Sequence, residues 1–286
     1  MGVKMLGFLL LAAAGWTSGA NVLFLSPHTS YSHANFLIPA IKALAGRGHF
    51  VTFWNGLRPQ EEIENVTQIY SEKLHHYNTN HNIGFEDNRL ITLTLTLIER
   101  LAQVCNMVYT DPNFDRVLQM RNTTKFDLIV IEGFMNECML PMVPYFEAPF
   151  IYMTGILNLP WLVSLTDSPP SFDHFPVVGS YFSDEMNVLE RLGNTALGLI
   201  GFIQREYFLL PMVDRMAAQA FPPSVALPRL RDVEANISMF VMNSHFSMNY
   251  QFPKSASIVE AGGLHFAESR PLPQVAFASI HPPEAD

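Results

Sequence analysis

The chain has 286 residues, 49% of them hydrophobic, and a formal net charge of −9. That content can bury one large core or two small ones and excludes a disordered tail. Without any basic cluster to neutralise phosphates, nucleic acid is not an expected partner. Only Cys105 and Cys138 are present, which excludes a disulfide framework or a cysteine-built metal site and leaves open whether the two pair with each other.

Lys4, the apolar residues 5–16 and the small residues Ser18-Gly19-Ala20 read as a secretory signal peptide over residues 1–20, cleaved after Ala20. The expected location is the endoplasmic reticulum lumen or the secretory pathway. Three sequons, at Asn65, Asn122 and Asn236, fit a lumenal chain that carries N-linked glycans.

Residues 21–53 then write a strand, a loop, a helix and a second strand. Val22-Leu23-Phe24-Leu25 is a continuous apolar run, as expected of a parallel strand buried on both faces. Residues 26–32 are polar and turn-prone, and Phe36, Leu37, Ala40, Ile41 and Ala43-Leu44 recur at helical spacing. Gly46 or Gly48 suits the helix end before Phe50-Val51-Thr52-Phe53 resumes strand character. Pro39 is comfortable in that helix only if the helix begins near Phe36 or bends there. His33 falls in the first loop at the carboxyl edge of the expected sheet, where open α/β folds bind ligands. A helix N-terminus close by disfavours the imidazolium and keeps the ring neutral, able to act as a base; a loop histidine satisfied by a backbone carbonyl is the alternative.

Further along, His75, His76 and His81 lie in an Asn-rich loop without carboxylate support, so no metal site is expected. The apolar stripe over 91–104 reads as a core-facing helix. Residues 126–132 read as another buried strand ending in a carboxylate, which puts Glu132 on the same edge as His33. Glu132 can accept the imidazole N–H and fix its tautomer, or it can be a helix-start glutamate together with Asn136 and Glu137. After a strand at 148–153, Trp161, Phe172, Phe175 and Phe182 either line a pocket for a lipophilic molecule or form core beneath a long loop. The apolar segment 196–210 is interrupted by Gln204-Arg205-Glu206, so no membrane span is expected; a buried core helix is the commoner explanation and an interfacial helix the other.

Several of these segments together resemble the N-terminal half of a UDP-glycosyltransferase, most closely the arthropod relatives of the animal UDP-glucuronosyltransferases. The likeness rests on Ser32-His33 with Pro39, on Ala45-Gly46-Arg47-Gly48-His49-Phe50-Val51-Thr52, and on 126–132. It continues through Phe182-Ser183-Asp184-Glu185-Met186, Leu189-Glu190-Arg191 and Asn194 to Asn243-Ser244-His245-Phe246 and Val259-Glu260-Ala261-Gly262-Gly263-Leu264-His265. The resemblance implies an α/β, Rossmann-like parallel sheet with flanking helices, as the N-terminal domain of a two-domain GT-B enzyme. It implies an acceptor-binding domain over 21–265 and a divergent tail or linker stub over 266–286, the donor domain being absent from this chain.

The resemblance also implies sugar transfer with inversion from a UDP-sugar co-substrate to the hydroxyl of a small lipophilic acceptor, without a metal. His33 aligns with the family's base, and Glu132 stands where many members carry the aspartate that supports it. Ser32, Phe134, Met135 and Trp161 fall on the acceptor side. Nothing matches the family's His- and Gly-rich nucleotide-sugar signature or its C-terminal membrane anchor, so the expectation is a fragment inactive alone, associated with membranes only peripherally. A donor domain or a full-length relative is then the expected partner. A non-catalytic lumenal binding module for lipophilic molecules is the alternative.

Overall fold

The computed structural model describes residues 19–80, 90–155, 160–177, 180 and 182–266. Residues 1–18 of the expected signal peptide, the tail beyond Phe266 and His81 lie outside the described residues. In chain order the elements are β1 (Asn21–Ser26), α1 (Tyr31–Gly46), β2 (Phe50–Asn55), β3 (Val66–Ile69), α2 (Glu72–Asn80), α3 (Leu90–Tyr109) and α4 (Pro112–Gln119). They continue with β4 (Leu128–Glu132), α5 (Met142–Phe146), β5 (Phe150–Thr154), α6 (Pro160–Ser164), α7 (Val188–Gln204), α8 (Leu210–Ala220), α9 (Leu230–Glu234), β6 (Met239–Met242) and β7 (Ile258–Glu260).

The strands form one parallel sheet in the order β3-β2-β1-β4-β5-β6-β7, with β1 paired to β2 on one side and to β4 on the other. Successive side chains of a strand point to opposite faces, and β1 shows why its apolar run is continuous. Val22 and Phe24 pack with Phe36, Leu37 and Ile41 of α1, whereas Leu23 and Leu25 enter the larger core on the other face. Full burial of such a side chain contributes about 1.5–3 kcal/mol. Strand order reverses between β1 and β4, and this topological switch point is where open sheets of this kind leave a crevice at their carboxyl ends.

Helix α1 departs from the sequence reading. It begins at Tyr31 rather than near Phe36, because the Ser30 side chain caps it by accepting the His33 backbone N–H, and Pro39 sits inside it. The carbonyl that loses its partner to Pro39 belongs to Asn35, an exposed residue, so water can satisfy it. His33 therefore stands in the first turn of a helix, not in a loop.

The 196–210 segment also departs from expectation. Helix runs from Val188 to Ala220, 33 residues, long and apolar enough by length and composition to cross a membrane. The interrupting charge stays helical because the backbone widens to a π turn over Arg205–Leu209, just ahead of Pro211. Polarity along α7 is inverted: Asn194 and Gly198 are buried, whereas Leu189, Leu192, Leu199, Ile200 and Ile203 are exposed. The inward amide of Asn194 is fully used, donating to the Phe172 and Phe175 carbonyls and accepting the Val177 N–H. Arg205, buried, makes a two-pronged pair with Glu234 at 2.5 and 2.8 Å and reaches Glu137 at 3.4 Å. The buried core helix expected here is thus a helix with an apolar outer face.

Candidate active site

Glu132 ends β4 and is 1% exposed. A strand-end carboxylate this deep needs hydrogen bonds on both oxygens. Oε2 accepts the Phe134 backbone N–H at 3.0 Å and the Asn136 amide at 2.9 Å. Oε1 accepts the Thr154 hydroxyl at 3.4 Å and faces Nδ1 of His33 at 2.9 Å. The loop that makes this possible turns at Met135, whose φ of 57° is left-handed, a conformation that costs a non-glycine residue about 1–2 kcal/mol.

With a carboxylate at Nδ1, the neutral ring of His33 carries its hydrogen on Nδ1 and leaves Nε2 bare. Nε2 makes no hydrogen bond among the described residues. Burial works to lower the His33 pKa, but the charge of Glu132 and its hydrogen bond outweigh it and hold the value above that of an ordinary histidine. This reverses the expectation that a helix N-terminus keeps the ring neutral: a carboxylate in contact is a stronger influence than a partial helix charge.

A second histidine behaves oppositely. Burial takes the pKa of His28 down to about 4. Both donors of Asn78 are spent on the Pro27 and Gly56 carbonyls, so its Oδ1 accepts the His28 Nδ1–H at 3.0 Å. The Phe134 ring lies beside both histidines, 5.9 Å from His33 and 6.4 Å from His28 between centroids. A base of raised pKa, an orienting carboxylate and an aromatic wall at the carboxyl edge of the sheet form an arrangement able to deprotonate a hydroxyl.

Comparison with known proteins fits this geometry. The family described as "UDP-glucoronosyl and UDP-glucosyl transferase" matches residues 29–285. The chain belongs to this family. Among UDP-glycosyltransferases, it is 29% identical to UDP-glucosyltransferase 2 of Dactylopius coccus over 90% of its own length and 50% of that protein's. UDP-glycosyltransferase UGT5 of the same insect is 26% identical over 94% of this chain and 52% of its own. The 2-hydroxyacylsphingosine 1-beta-galactosyltransferase of Rattus norvegicus is 22% identical over 93% of this chain and 49% of its own. The chain thus spans about half the length of these relatives, and its family implies a UDP-sugar donor.

The other expected site residues scatter. Ser32 is exposed, with its hydroxyl 2.8 Å from that of Ser30. Met135 is buried in the larger core, and its place there is that of a packing residue. Trp161 is half-buried against the same core, close to Gly201 of α7. Phe172 and Phe175 are buried, Phe172 against Gly198, so of the two readings offered for them the core is the one observed.

Glu132 starts no helix, and Glu137 opens a short 3-10 turn. Asp127 belongs to the sheet's opposite edge, where it accepts the Asn21 N–H at 2.8 Å. Cys105 and Cys138 are buried free thiols. Among the described residues no group of three or more His, Cys, Asp or Glu could hold a metal. Asn65, Asn122 and Asn236 are all exposed and precede β3, β4 and β6, which places the three sequons at the amino edge of the sheet, away from His33.

Sequence reasoning did not assign Asn136 or Thr154 to this site. For Asn136 the available signal was its spacing, four residues past the strand-end glutamate.

Proposed function

We propose that this chain supplies the acceptor side of an inverting UDP-glycosyltransferase, with His33 as the base. The 2.9 Å contact between His33 Nδ1 and Glu132 Oε1, with Nε2 left bare, is the observation that carries the reading. The acceptor's hydroxyl proton passes to Nε2, and its oxygen forms a bond to the anomeric carbon. The bond from that carbon to the UDP oxygen breaks, and the diphosphate leaves with the electron pair. Glu132 stabilises the imidazolium that results. The acceptor is a small lipophilic molecule with a hydroxyl, resting against Phe134. The nucleotide-sugar site belongs to the donor half of such an enzyme.

The location is the lumen of the endoplasmic reticulum, with glycans at Asn65, Asn122 and Asn236. The apolar outer face of α7 supports peripheral attachment to the membrane surface.

The test joins this chain to the donor half of a relative and measures transfer to a simple phenol. His33→Ala should reduce the rate by about 10²–10⁴-fold, the contribution of a positioned base. Undiminished transfer would remove the assignment. Capture of lipophilic molecules without transfer is a second reading, favoured by the aromatic wall beside His33. It requires saturable binding of hydrophobic phenols, by fluorescence titration, to the chain by itself.

A further inference from the structure

We propose that Asn136 is the positioning residue of the His33–Glu132 pair: its side-chain amide aims the glutamate and ties the turn after β4 to the loop that leads into α1. The inference rests on the reading of His33 as base.

The need arises from the glutamate itself. Its terminal torsion is broad and roughly two-fold, so a glutamate at a strand end can turn its carboxylate through many orientations of similar energy. Presenting one oxygen to His33 requires that the other be held. Oε2 receives two donors, the Phe134 N–H at 3.0 Å and Asn136 Nδ2 at 2.9 Å, and this leaves Oε1 pointing at Nδ1 of His33.

The same amide reaches the loop leading into α1. Asn136 Oδ1 accepts the His28 N–H at 2.9 Å, and Nδ2 lies 2.9 Å from the His28 carbonyl. His33 and Glu132 are 99 positions apart in sequence, and one side chain, 1% exposed, ties the loop before α1 to the turn after β4. The role needs a donor and an acceptor on one short planar group. Leucine would fill the space but leave Oε2, the His28 N–H and the His28 carbonyl short of partners. Aspartate would place a second acceptor against Oε2.

The test reads the imidazole directly, by long-range ¹H–¹⁵N spectra of histidine-labelled chain over a pH series. In the wild type, above its titration, His33 should show a protonated Nδ1 and a bare Nε2; the opposite tautomer would overturn the proposal without any variant. In Asn136→Ala the carboxylate loses one of the two donors on Oε2 and is held less firmly, while burial of the ring remains. His33 should then titrate lower by about one pH unit or more, with an Nε2–H form appearing. Asn136→Ser, which keeps a short donor and asks less of the packing, should move the same way by a smaller amount.

Asn78→Ala serves as the comparison, since Asn78 anchors the His28 loop without touching Glu132. It should leave the His33 titration and tautomer in place. Asn136 variants with wild-type His33 signals, or an Asn78→Ala shift as large as theirs, would reduce Asn136 to a loop clamp and sink the proposal. Transfer assays separate the two ideas. A wild-type tautomer as described, with no loss of transfer in His33→Ala, would remove the base reading and leave the role of Asn136 standing.

Discussion

Replacing Glu132 by glutamine removes the charge from the pair while keeping the side chain's length and one acceptor oxygen. In the wild type, burial lowers the His33 pKa and Glu132 raises it by more, so the value lies above 6.5. His28 shows what the neighbouring loop does to a histidine bonded to an amide instead of a carboxylate: burial takes it from 6.5 to about 4. With Glu132 neutralised, His33 should fall below 6.5, toward the value of His28. Each pH unit of that fall is about 1.36 kcal/mol of lost preference for the imidazolium, and the 14% exposure that the His33 side chain keeps limits how far burial can drive it.

The consequence for stability changes sign. A histidine whose folded pKa is raised contributes stabilisation that is fully present below 6.5 and is lost as pH rises through the folded value. In Glu132→Gln the folded pKa is depressed, so stabilisation is present above 6.5 and is lost as pH falls through the new folded value. Thermal unfolding of both proteins over a pH series from about 5 to 9 measures this directly, with imidazole spectra to assign the titrating ring. A variant whose stability keeps the wild-type pH slope, or whose His33 still titrates above 6.5, would refute the electrostatic account.

Three further outcomes follow from the packing. Arg205→Ala strands the buried carboxylates of Glu234 and Glu137 without their cation and should cost about 3–5 kcal/mol in urea unfolding; a loss below about 1 kcal/mol would show that water or rearrangement replaces the pair. Gly198→Ala places a Cβ 2.3 Å from the Phe172 ring and should destabilise by about 1–3 kcal/mol, whereas Gly46→Ala meets nothing within 4 Å and should be neutral or stabilising by up to about 1 kcal/mol. Calorimetry of both variants would expose an error if their order were reversed. Leu199→Glu with Ile203→Glu, both on the outer face of α7, should change stability by no more than about 0.5 kcal/mol per site and yet abolish flotation with lipid vesicles; flotation equal to wild type would remove the peripheral attachment.

Much of the sheet was legible because parallel strands announce themselves locally. Val22-Leu23-Phe24-Leu25 and Ile129-Val130-Ile131 are apolar at every position, since both faces of β1 and β4 are covered, and the intervening helix shows its own period. The start of α1 was harder to place, because a capping serine three residues before His33 carries less weight in a sequence than Pro39 six residues after that histidine. Inverted polarity misled the reading of α7. Periodicity reports which residues share a face but not which way the face points, and here Asn194 and Arg205 find buried partners whose identity no local pattern contains.

The site divides the same way. Sequence by itself determined that Glu132 ends a strand and that His33 follows one at the same carboxyl edge, because the order of elements along the chain is a local property. Family resemblance added the chemistry of the pair. Only the tertiary structure decided that β1 and β4 are neighbours at the reversal of strand order, that one carboxylate oxygen meets the imidazole while the other is held by Phe134 and Asn136, and that Glu132 raises a pKa which burial would have lowered. Those are properties of distance and orientation between groups 99 positions apart, and they depend on contacts such as those of Asn136 that exist only once the loops have met.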